Sequence, residues 1–598
     1  MNNYSALKAD YAPISSAERY ILLRIMDTVL REDLFGISSQ GILDQEMLDT
    51  ERSLLPHQQW LKAVLKDGSV LWLAVEPAKI LQRYKAASAT WYYQALGQER
   101  TQASGIENFL RCLASGQDGA IRRLFHLFQE EALLALNHTE ICRAEYEAQK
   151  HKFQQVMSLS SWHERLLGMD WIASFSDHPF YPTARAKVGF DHKSLQAYAP
   201  EFSPHFKLRW IALPTELLIQ PFLPPEDIWP TMKQLGLPQE LEKTHQVIPV
   251  HPLTWPHILS ELPVGAVAAP MAFCTVRPTL SVRTVACVEN LRFHIKLPLY
   301  MRTLGNRNLR LIKPSTVHDG YSFQKILENI AASDPMLGSK IVHVDERRGG
   351  YVQERADLAY ILREYPLGSE GELAVPVAAL VTLMGDGRPL MLHLADHFYE
   401  GDILAWAKAH LDVFLGVHLR LWLQYGIALE ANQQNAILLY QKENVRLLMK
   451  DNDSARLYEP LLLAAKPELA EIVNAIQDGR IKAKRPEELM EMLCTITLQL
   501  CIMAPFEELV ALRVVKRKAL YGLLREVFLN ILNVLSNEGI ETAPARFFMA
   551  DATMPVKYLL TAGTLLPKDY TDAADINKYY GWTSPNIFMD ENEPITVE

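Results

Sequence analysis

Apolar side chains recur every three or four residues from 17 to about 150, which predicts amphipathic helices over 18–34, 44–65, 75–96 and 105–147, with a small hairpin near Asp67-Gly68. This first stretch therefore reads as a helical unit. From 157 to about 376 the pattern becomes proline-rich, with short alternating runs such as 291–300 and 341–352, the second broken by a turn at Gly349-Gly350. Beyond Pro376, 377–384 and 390–394 read as paired strands around Gly385-Asp386-Gly387-Arg388, and 436–440 with 445–449 as a second hairpin centred on Glu443. Helices return over 402–425, 467–478, 486–504 and 507–536, the last stopping near Asn537-Glu538-Gly539. The fold class is α+β, in three units: helical over 1–150, mixed over 151–376, and hairpin plus helices over 377–598.

Composition refines this picture without changing it. With 49% hydrophobic and 22% charged residues the 598-residue chain builds packed cores, which removes disordered and collagen-like classes. A net charge of −10 gives no global attraction to nucleic acid or an anionic membrane, so neither is an expected partner. The six cysteines, at 112, 142, 274, 287, 494 and 501, show no CxxC and no zinc-type spacing, and read as buried small hydrophobes. The mixed polar start and the lack of an 18-residue apolar run predict a cytoplasmic protein.

Three segments carry chemistry. Between 283 and 313 stand seven Lys or Arg and one acid, Glu289, a local inversion in an acidic chain. Alternation places Ser281 with Arg283 on one strand face, and His294 with Lys296 on the next, so hydroxyl and cationic groups converge as a polyphosphate requires. Charge counting alone also fits a solvated basic strand face. The second segment is Glu430-Ala-Asn432-Gln433-Gln434-Asn435, followed by the predicted hairpin and by Lys450-Asp451-Asn452-Asp453. That hairpin sets Asn435 across from Asp451, an amide oxygen beside a carboxylate, which suits Mg²⁺ and equally suits a capped turn. The third is His178-Pro179, with Arg185, Lys187 and Gly189 following, where prolines stiffen a loop able to grip an anion. The related Pro249-Val250-His251-Pro252 stretch favours packing.

No phosphate loop, dinucleotide fingerprint, GxSxG or HExxH motif is present, which sets aside the common nucleotide and hydrolase classes. Taken in order, the His178 loop with Arg185, Lys187 and Gly189, the Val247–His251 block, the Thr279–Thr284 block with Lys296 and Arg307, and the Glu430–Asn435 block ahead of Lys450-Asp451 closely resemble the NRPS-independent siderophore synthetases of the aerobactin-synthetase type. The resemblance implies a cupped hand of thumb (1–150), fingers (151–376) and palm (377–598), and a homodimer. It implies Mg²⁺ and ATP in the cleft, and activation of a polycarboxylic acid such as citrate as its acyl-adenylate. Capture by an amine or alcohol then gives an amide or ester.

By position, the resemblance makes Ser281, Arg283, Thr284, Lys296, Thr303, Arg307, Arg185 and Gln434 nucleotide contacts, and Arg283, Lys296, Arg307 and His178 catalytic. It assigns Asn432, Gln434 and Lys187 to the substrate, and Glu430, Asn435 and Asp451 to the metal. Two departures stand out. Asn432 occupies a place where many relatives carry His, and Arg185 and Lys187 exchange the usual Lys and Arg. The first motivates an alternative, a non-catalytic relative that binds nucleotide or polycarboxylate and regulates or scaffolds its pathway. A phosphotransferase or acyl-CoA transferase using the same basic cleft is a further possibility.

Overall fold

Ser15 opens the first helix among the described residues, α1 (Ser16–Arg31), by accepting the Glu18 N–H, and the expected amphipathic face of Ile21, Leu22, Ile25 and Val29 is buried. The computed structural model describes residues 14–45, 57–78, 80–305, 308–442, 444–567 and 579–589. Where described, most of 57–65 and of 75–96, both within expected helices, is strand rather than helix. Residues 46–56 lie outside the described residues, but β1 (Gln59–Val64), β2 (Val70–Pro77) and β3 (Tyr84–Gln94) form an antiparallel sheet, with Ile42–Leu43 and Thr101–Ala103 as its outer strands. The first unit is therefore a sheet with helices. The sheet is covered on both faces, by α1 and its neighbours on one side and by a Trp60–Trp72–Tyr92 cluster on the other, so β2 is a nearly continuous apolar run without period-two alternation. The predicted hairpin at Asp67-Gly68 does join β1 to β2, with the Gly68 N–H bonded to the Leu65 carbonyl.

The expected 105–147 helix is two, α2 (Ile106–Ala114) and α3 (Gly119–Gln149), interrupted at Gly116 (φ 71°) and restarted by the Asp118 side chain. After α4 (Trp162–Ala173) the chain enters a nine-stranded sheet. Its central strands are β4 (Phe206–Pro214), β5 (His245–Val250), β6 (Phe273–Pro278), β7 (Thr284–Cys287) and β8 (Phe293–Lys296). Helix α5 (Pro314–Ser333) precedes two longer strands, β9 (Asp345–Val352) and β10 (Arg355–Glu364), and the sheet order runs β9-β10-β8-β7-β6-β4-β5. Gly349 and Gly350 make no turn. They lie within β9, where a Cβ on Gly349 would stand 2.9 Å from both the Tyr360 carbonyl and Val317 Cγ1. Close backbone approach, not chain reversal, explains the pair.

A second strand pair is also corrected. Residues 377–394 turn at Gly387, but only one isolated bridge, Leu383 to Pro389, joins the arms, and 390–399 is helix α6 (Leu390–Tyr399). Helix α7 (Ile403–Tyr425) begins at its Asp402 cap and ends at Gly426 (φ 60°) as read. The last predicted hairpin is present as β11 (Ala436–Gln441) and β12 (Asn444–Met449), paired Ala436 to Met449 and Gln441 to Asn444; Glu443 lies outside the described residues. It occupies the middle of a four-stranded sheet, flanked by Ile341–His343 and Leu373–Pro376.

The long apolar stretch 487–511 is one helix with a π segment at Leu493–Met503, and α8 (Arg517–Asn537) follows after a break at Arg513 (φ 58°). Both are long and apolar enough to cross a membrane by length and composition, yet 89% of the first one's apolar window is buried inside this molecule. Pro505 accounts for the irregularity. It has no N–H to offer the Leu500 or Cys501 carbonyl, and those groups instead accept Gln433 Nε2 at 2.7 Å and His410 Nε2 at 2.8 Å. Strand β13 (Thr553–Lys557) and the segment after it return to the first unit, where Leu560, Leu565 and Leu566 join the core beneath α1. All six cysteines are buried and unpaired, as expected.

Candidate active site

The hairpin loop between β6 and β7 supplies the first wall of the principal cleft. Thr279, Ser281 and Arg283 are not on a strand face, because 279–283 is the turn itself, closed by the Thr279 N–H to the Thr284 carbonyl at 2.9 Å. Ser281 Oγ accepts the Thr284 N–H at 3.0 Å, and Val282 is held at φ 65°, a conformation that a β-branched residue adopts only under constraint. That strained reversal turns Ser281, Arg283 and Thr284 into a cavity of about 400 Å³. Across the β7–β8 pair Lys296 registers with Thr284 and lines the same space. His294 does not. Its ring is sealed under Tyr365, neither nitrogen has a partner, and burial holds its pKa well below normal.

Opposite stands the hairpin β11–β12 with its flanking loops. Lys296 Nζ lies 2.5 Å from Asp451 Oδ1 and 3.6 Å from Asp453 Oδ1, so residues 155 positions apart meet across the cleft. Arg363, a residue the sequence reading passed over, also binds Asp451, and its Nε donates to Glu346 Oε1 at 2.6 Å. The same Glu346 accepts the backbone N–H groups of Asp451 and Asn452, each at 3.0 Å, which fixes Asp451 in the left-handed region (φ 61°). Burial opposes ionisation of Asp451, but Arg363 and Lys296 outweigh it and hold the carboxyl far below the usual range.

The Glu430–Asn435 loop forms the rest of this wall. Asn432 Oδ1 accepts the N–H groups of Gln434 and Asn435, both at 3.0 Å, so Asn432 is a turn former. Asn435 Nδ2 donates to the Glu430 carbonyl at 3.2 Å, while its buried Oδ1 has no partner. Burial, with Asp451 and Asp453 nearby, raises the Glu430 carboxyl, and burial raises Asp453. Two carboxyls with raised pKa, Asp453 keeping Lys296 at 3.6 Å as its cation, and an orphaned amide oxygen make a hard-oxygen set of the kind Mg²⁺ uses alongside phosphate oxygens. Asp451 differs from the expectation in being already paired with two cations. No group of three or more His, Cys, Asp or Glu suited to a metal occurs among the described residues, so the set is open rather than a closed cage.

The third wall is the His178 loop. Arg24 of α1 donates to the carbonyls of His178, Tyr181 and Pro182, and His178 Nδ1 accepts the Phe180 and Tyr181 N–H groups. Burial, reinforced by Arg24, Lys557 and Arg31, lowers His178 to about 3, so the ring in the cleft wall is neutral. Arg185 pairs with Asp177 at 2.8 Å and Glu201 at 3.0 Å, and Lys187 with Glu201 at 2.7 Å. These two cations brace the wall. Thr303, which accepts from Arg310 Nε at 2.7 Å, and Gln434 also line the cavity; Arg307 lies outside the described residues.

Arg310, Asp453 and Lys557 line the cleft without having been singled out, and Arg363 braces it from behind. Asp453 had a signal in the repeated Asp-Asn-Asp of 451–453, and Arg310 lay in the basic cluster. Arg363 and Lys557 sit in ordinary strands and carried none. Burial and the Arg283 charge bring Arg310 down to about 10. His251 is a packing residue as read, its Nδ1 capping Leu253 and its ring set against Tyr198 and Phe206.

Residues 172–382, which contain the basic turn and the His178 loop, match the family described as the IucA / IucC family. That stretch is therefore similar to the family. Residues 404–572 match a second description, ferric iron reductase FhuF-like transporter. Staphyloferrin B synthase of Staphylococcus aureus is 22% identical over 92% of this chain and 95% of its own length. A citryl-spermidine/3,4-dihydroxybenzoyl-citryl-spermidine:spermidine ligase of Bacillus anthracis is 25% identical over 48% and 51%. Among solved structures, the petrobactin biosynthesis protein AsbB of Bacillus anthracis superposes with a TM-score of 0.75 at 18% identity, covering 98% of each chain. ATP-bound aerobactin synthetase IucA of Klebsiella pneumoniae gives 0.69 at 15% identity, covering 95% of this chain and 99% of that one. The expected α+β fold is thereby borne out.

Proposed function

We propose that this protein is an ATP-dependent ligase of siderophore biosynthesis that activates a carboxylic acid, citrate or a citryl compound being the class favoured by its relatives, as the acyl-adenylate and joins it to an amine or alcohol. The observation that carries the reading is the meeting of the basic turn and the carboxylate loop around one cavity, marked by the Lys296–Asp451 contact. When a carboxylate oxygen bonds to the α-phosphorus and the α–β phosphoanhydride bond breaks to release pyrophosphate, negative charge grows on the phosphoryl oxygens, where Arg283, Lys296 and Arg310 can stabilise it. Glu430, Asn435 and Asp453 are the residues that would hold Mg²⁺, which would supply further charge neutralisation on the polyphosphate. Ser281 and Thr284 orient phosphate oxygens through hydroxyl donors, and the neutral His178 excludes water and a competing charge from the acyl group. In the second step the amine nitrogen bonds to the acyl carbon, the carbon–oxygen bond to AMP breaks, and the amine proton passes to solvent. Positioning of the two reactants provides much of the rate, and no enzyme nucleophile is required.

Mixing the protein with Mg·ATP, a panel of acids and hydroxylamine tests this: pyrophosphate and an acyl hydroxamate are expected, whereas ADP and orthophosphate would overturn the adenylate chemistry. A second reading rests on Asn432, which removes a titratable side chain from the cleft: a relative that binds nucleotide or polycarboxylate without turnover. Tight ATP binding by calorimetry with no product from any acid and amine would favour it.

A further inference from the structure

Behind the cleft wall that Glu201 braces lies another pocket, of about 480 Å³, set between the end of α3, helix α4 and strand β6. Among the described residues only Glu201 lines both this pocket and the cleft, so the two spaces are distinct and stand back to back.

Five charged side chains line it, and four are accounted for. Glu201 is committed to the cleft wall, where its Oε1 holds Arg185 and Lys187. Glu145 and Lys152 offset each other through one amide: Gln149 Nε2 donates to Glu145 Oε1 and Gln149 Oε1 accepts from Lys152 Nζ, both at 2.8 Å. Glu164 stands exposed at the rim, where water screens it. Arg277 of β6 is left. Its Nη2 donates to Ser203 Oγ at 2.8 Å, its Nε is buried without an acceptor, and it pairs with no carboxylate among the described residues. Burial lowers its pKa, with only the charge of Glu164 opposing. A desolvated cation without a counter-charge is costly, and an anion removes that cost.

The surroundings define the rest of the ligand. Ser203 is held at φ 46°, a constrained conformation for a residue with a Cβ, and its hydroxyl fixes the direction of the guanidinium. Trp171, Phe202 and Leu159 line the same space, and the Trp171 N–H is already given to the Glu201 carbonyl at 3.3 Å, so these walls offer apolar surface. A polycarboxylate would meet Glu145 and Glu164 with its additional charges, and a neutral molecule would leave Arg277 unmatched. One carboxylate on an apolar body satisfies both conditions.

We propose that this pocket is a binding site for a monocarboxylate with an aromatic or branched apolar body. The carboxylate accepts from the Nη groups of Arg277, and the body packs on Trp171, Phe202 and Leu159. The site is independent of the ligase reading and holds whether or not the cleft adenylates an acid.

Fluorine NMR titrations of the full-length protein compare 4-fluorophenylacetate with 4-fluorophenylacetamide, which has the same shape without the charge. The acid is expected to bind tenfold or more tightly than the amide. Arg277→Met should remove that preference, and Arg283→Ala, which strips a cation from the cleft instead, should keep it, with urea midpoints reporting that each variant is folded. Arg277→Lys carries the test if the methionine variant does not fold: it should weaken the acid and leave the amide unchanged. Absence of binding, equal binding of acid and amide, retention of the preference in a folded Arg277→Met, or its loss in Arg283→Ala overturns the proposal. Displacement of the fluorinated acid by less succinate than phenylacetate overturns it too, because the pocket then prefers two charges to one.

Discussion

Arg283 is the side chain on which the chemistry turns most directly. Its side chain is half-buried at a strained turn, where desolvation lowers its pKa while Asp451 and Asp453 help to keep it charged, and one Nη donates to the Leu311 carbonyl at 3.0 Å. Arg283→Ala should lower pyrophosphate release by on the order of 10²-fold or more, measured at saturating acid and ATP; an unchanged rate would remove the residue from the site. Asn432 acts differently, through its neighbours. Asn432→Ala removes the acceptor of two backbone N–H groups and should cost about 1 kcal/mol in urea unfolding, with Asn432→Asp retaining most of it. The cationic half of this site was legible in the sequence because charge inversion survives without knowledge of contacts. The brace Arg363 was not, since a lone arginine in an apolar strand has no signature until the sheet sets it beside Asp451.

Among elements, the hairpin β11–β12 and helix α7 follow their sequence signals because turn, cap and periodicity all agree, whereas β1 to β3 were hidden by burial on both faces. Alanine-rich text over 86–89 also mimics a helix, and only packing against α1 selects the strand. Helix α7 carries a testable titration. His418 is fully buried with Nε2 unpartnered, and burial lowers it to about 3. Its folded pKa lies below the unfolded value near 6.5, so the unfolded chain binds the extra proton and folding is disfavoured as pH falls through the window from about 6.5 to 3. Relative to His418→Gln, the wild-type protein should therefore lose up to about 1.4 kcal/mol per pH unit below pH 6.5, read from urea midpoints at pH 7.5 and 5.5; parallel pH profiles would contradict a buried neutral ring.

At the scale of the molecule, the sheet of β4–β10 and the hairpin of β11–β12 are tied together by one buried ionic knot: Lys296 and Arg363 from the first, Asp451 from the second, with Glu346 closing the ring. Arg363→Met leaves Glu346 without its cation and Asp451 with Lys296 alone, and should destabilise the protein by about 3–5 kcal/mol, seen as a lower urea midpoint. Helix α1 supplies a second tie, since Arg24 holds the His178 loop while Glu32 accepts the N–H groups of Leu560 at 3.0 Å and Thr561 at 2.7 Å. Cleft geometry is thus set by long-range pairings that a linear reading of the chain does not contain.

Pro505 gives this arrangement an unusual liability. With no N–H at Pro505 to claim it, the Leu500 carbonyl gives the amide of Gln433 a socket, and the oxygen-rich loop is moored to a buried rod rather than drifting at the surface. Pro505→Ala should let that rod wind regularly and raise the melting temperature, while slackening the mooring and lowering hydroxamate yield. A protein engineer who tidied the helix would obtain a sturdier molecule and a poorer catalyst.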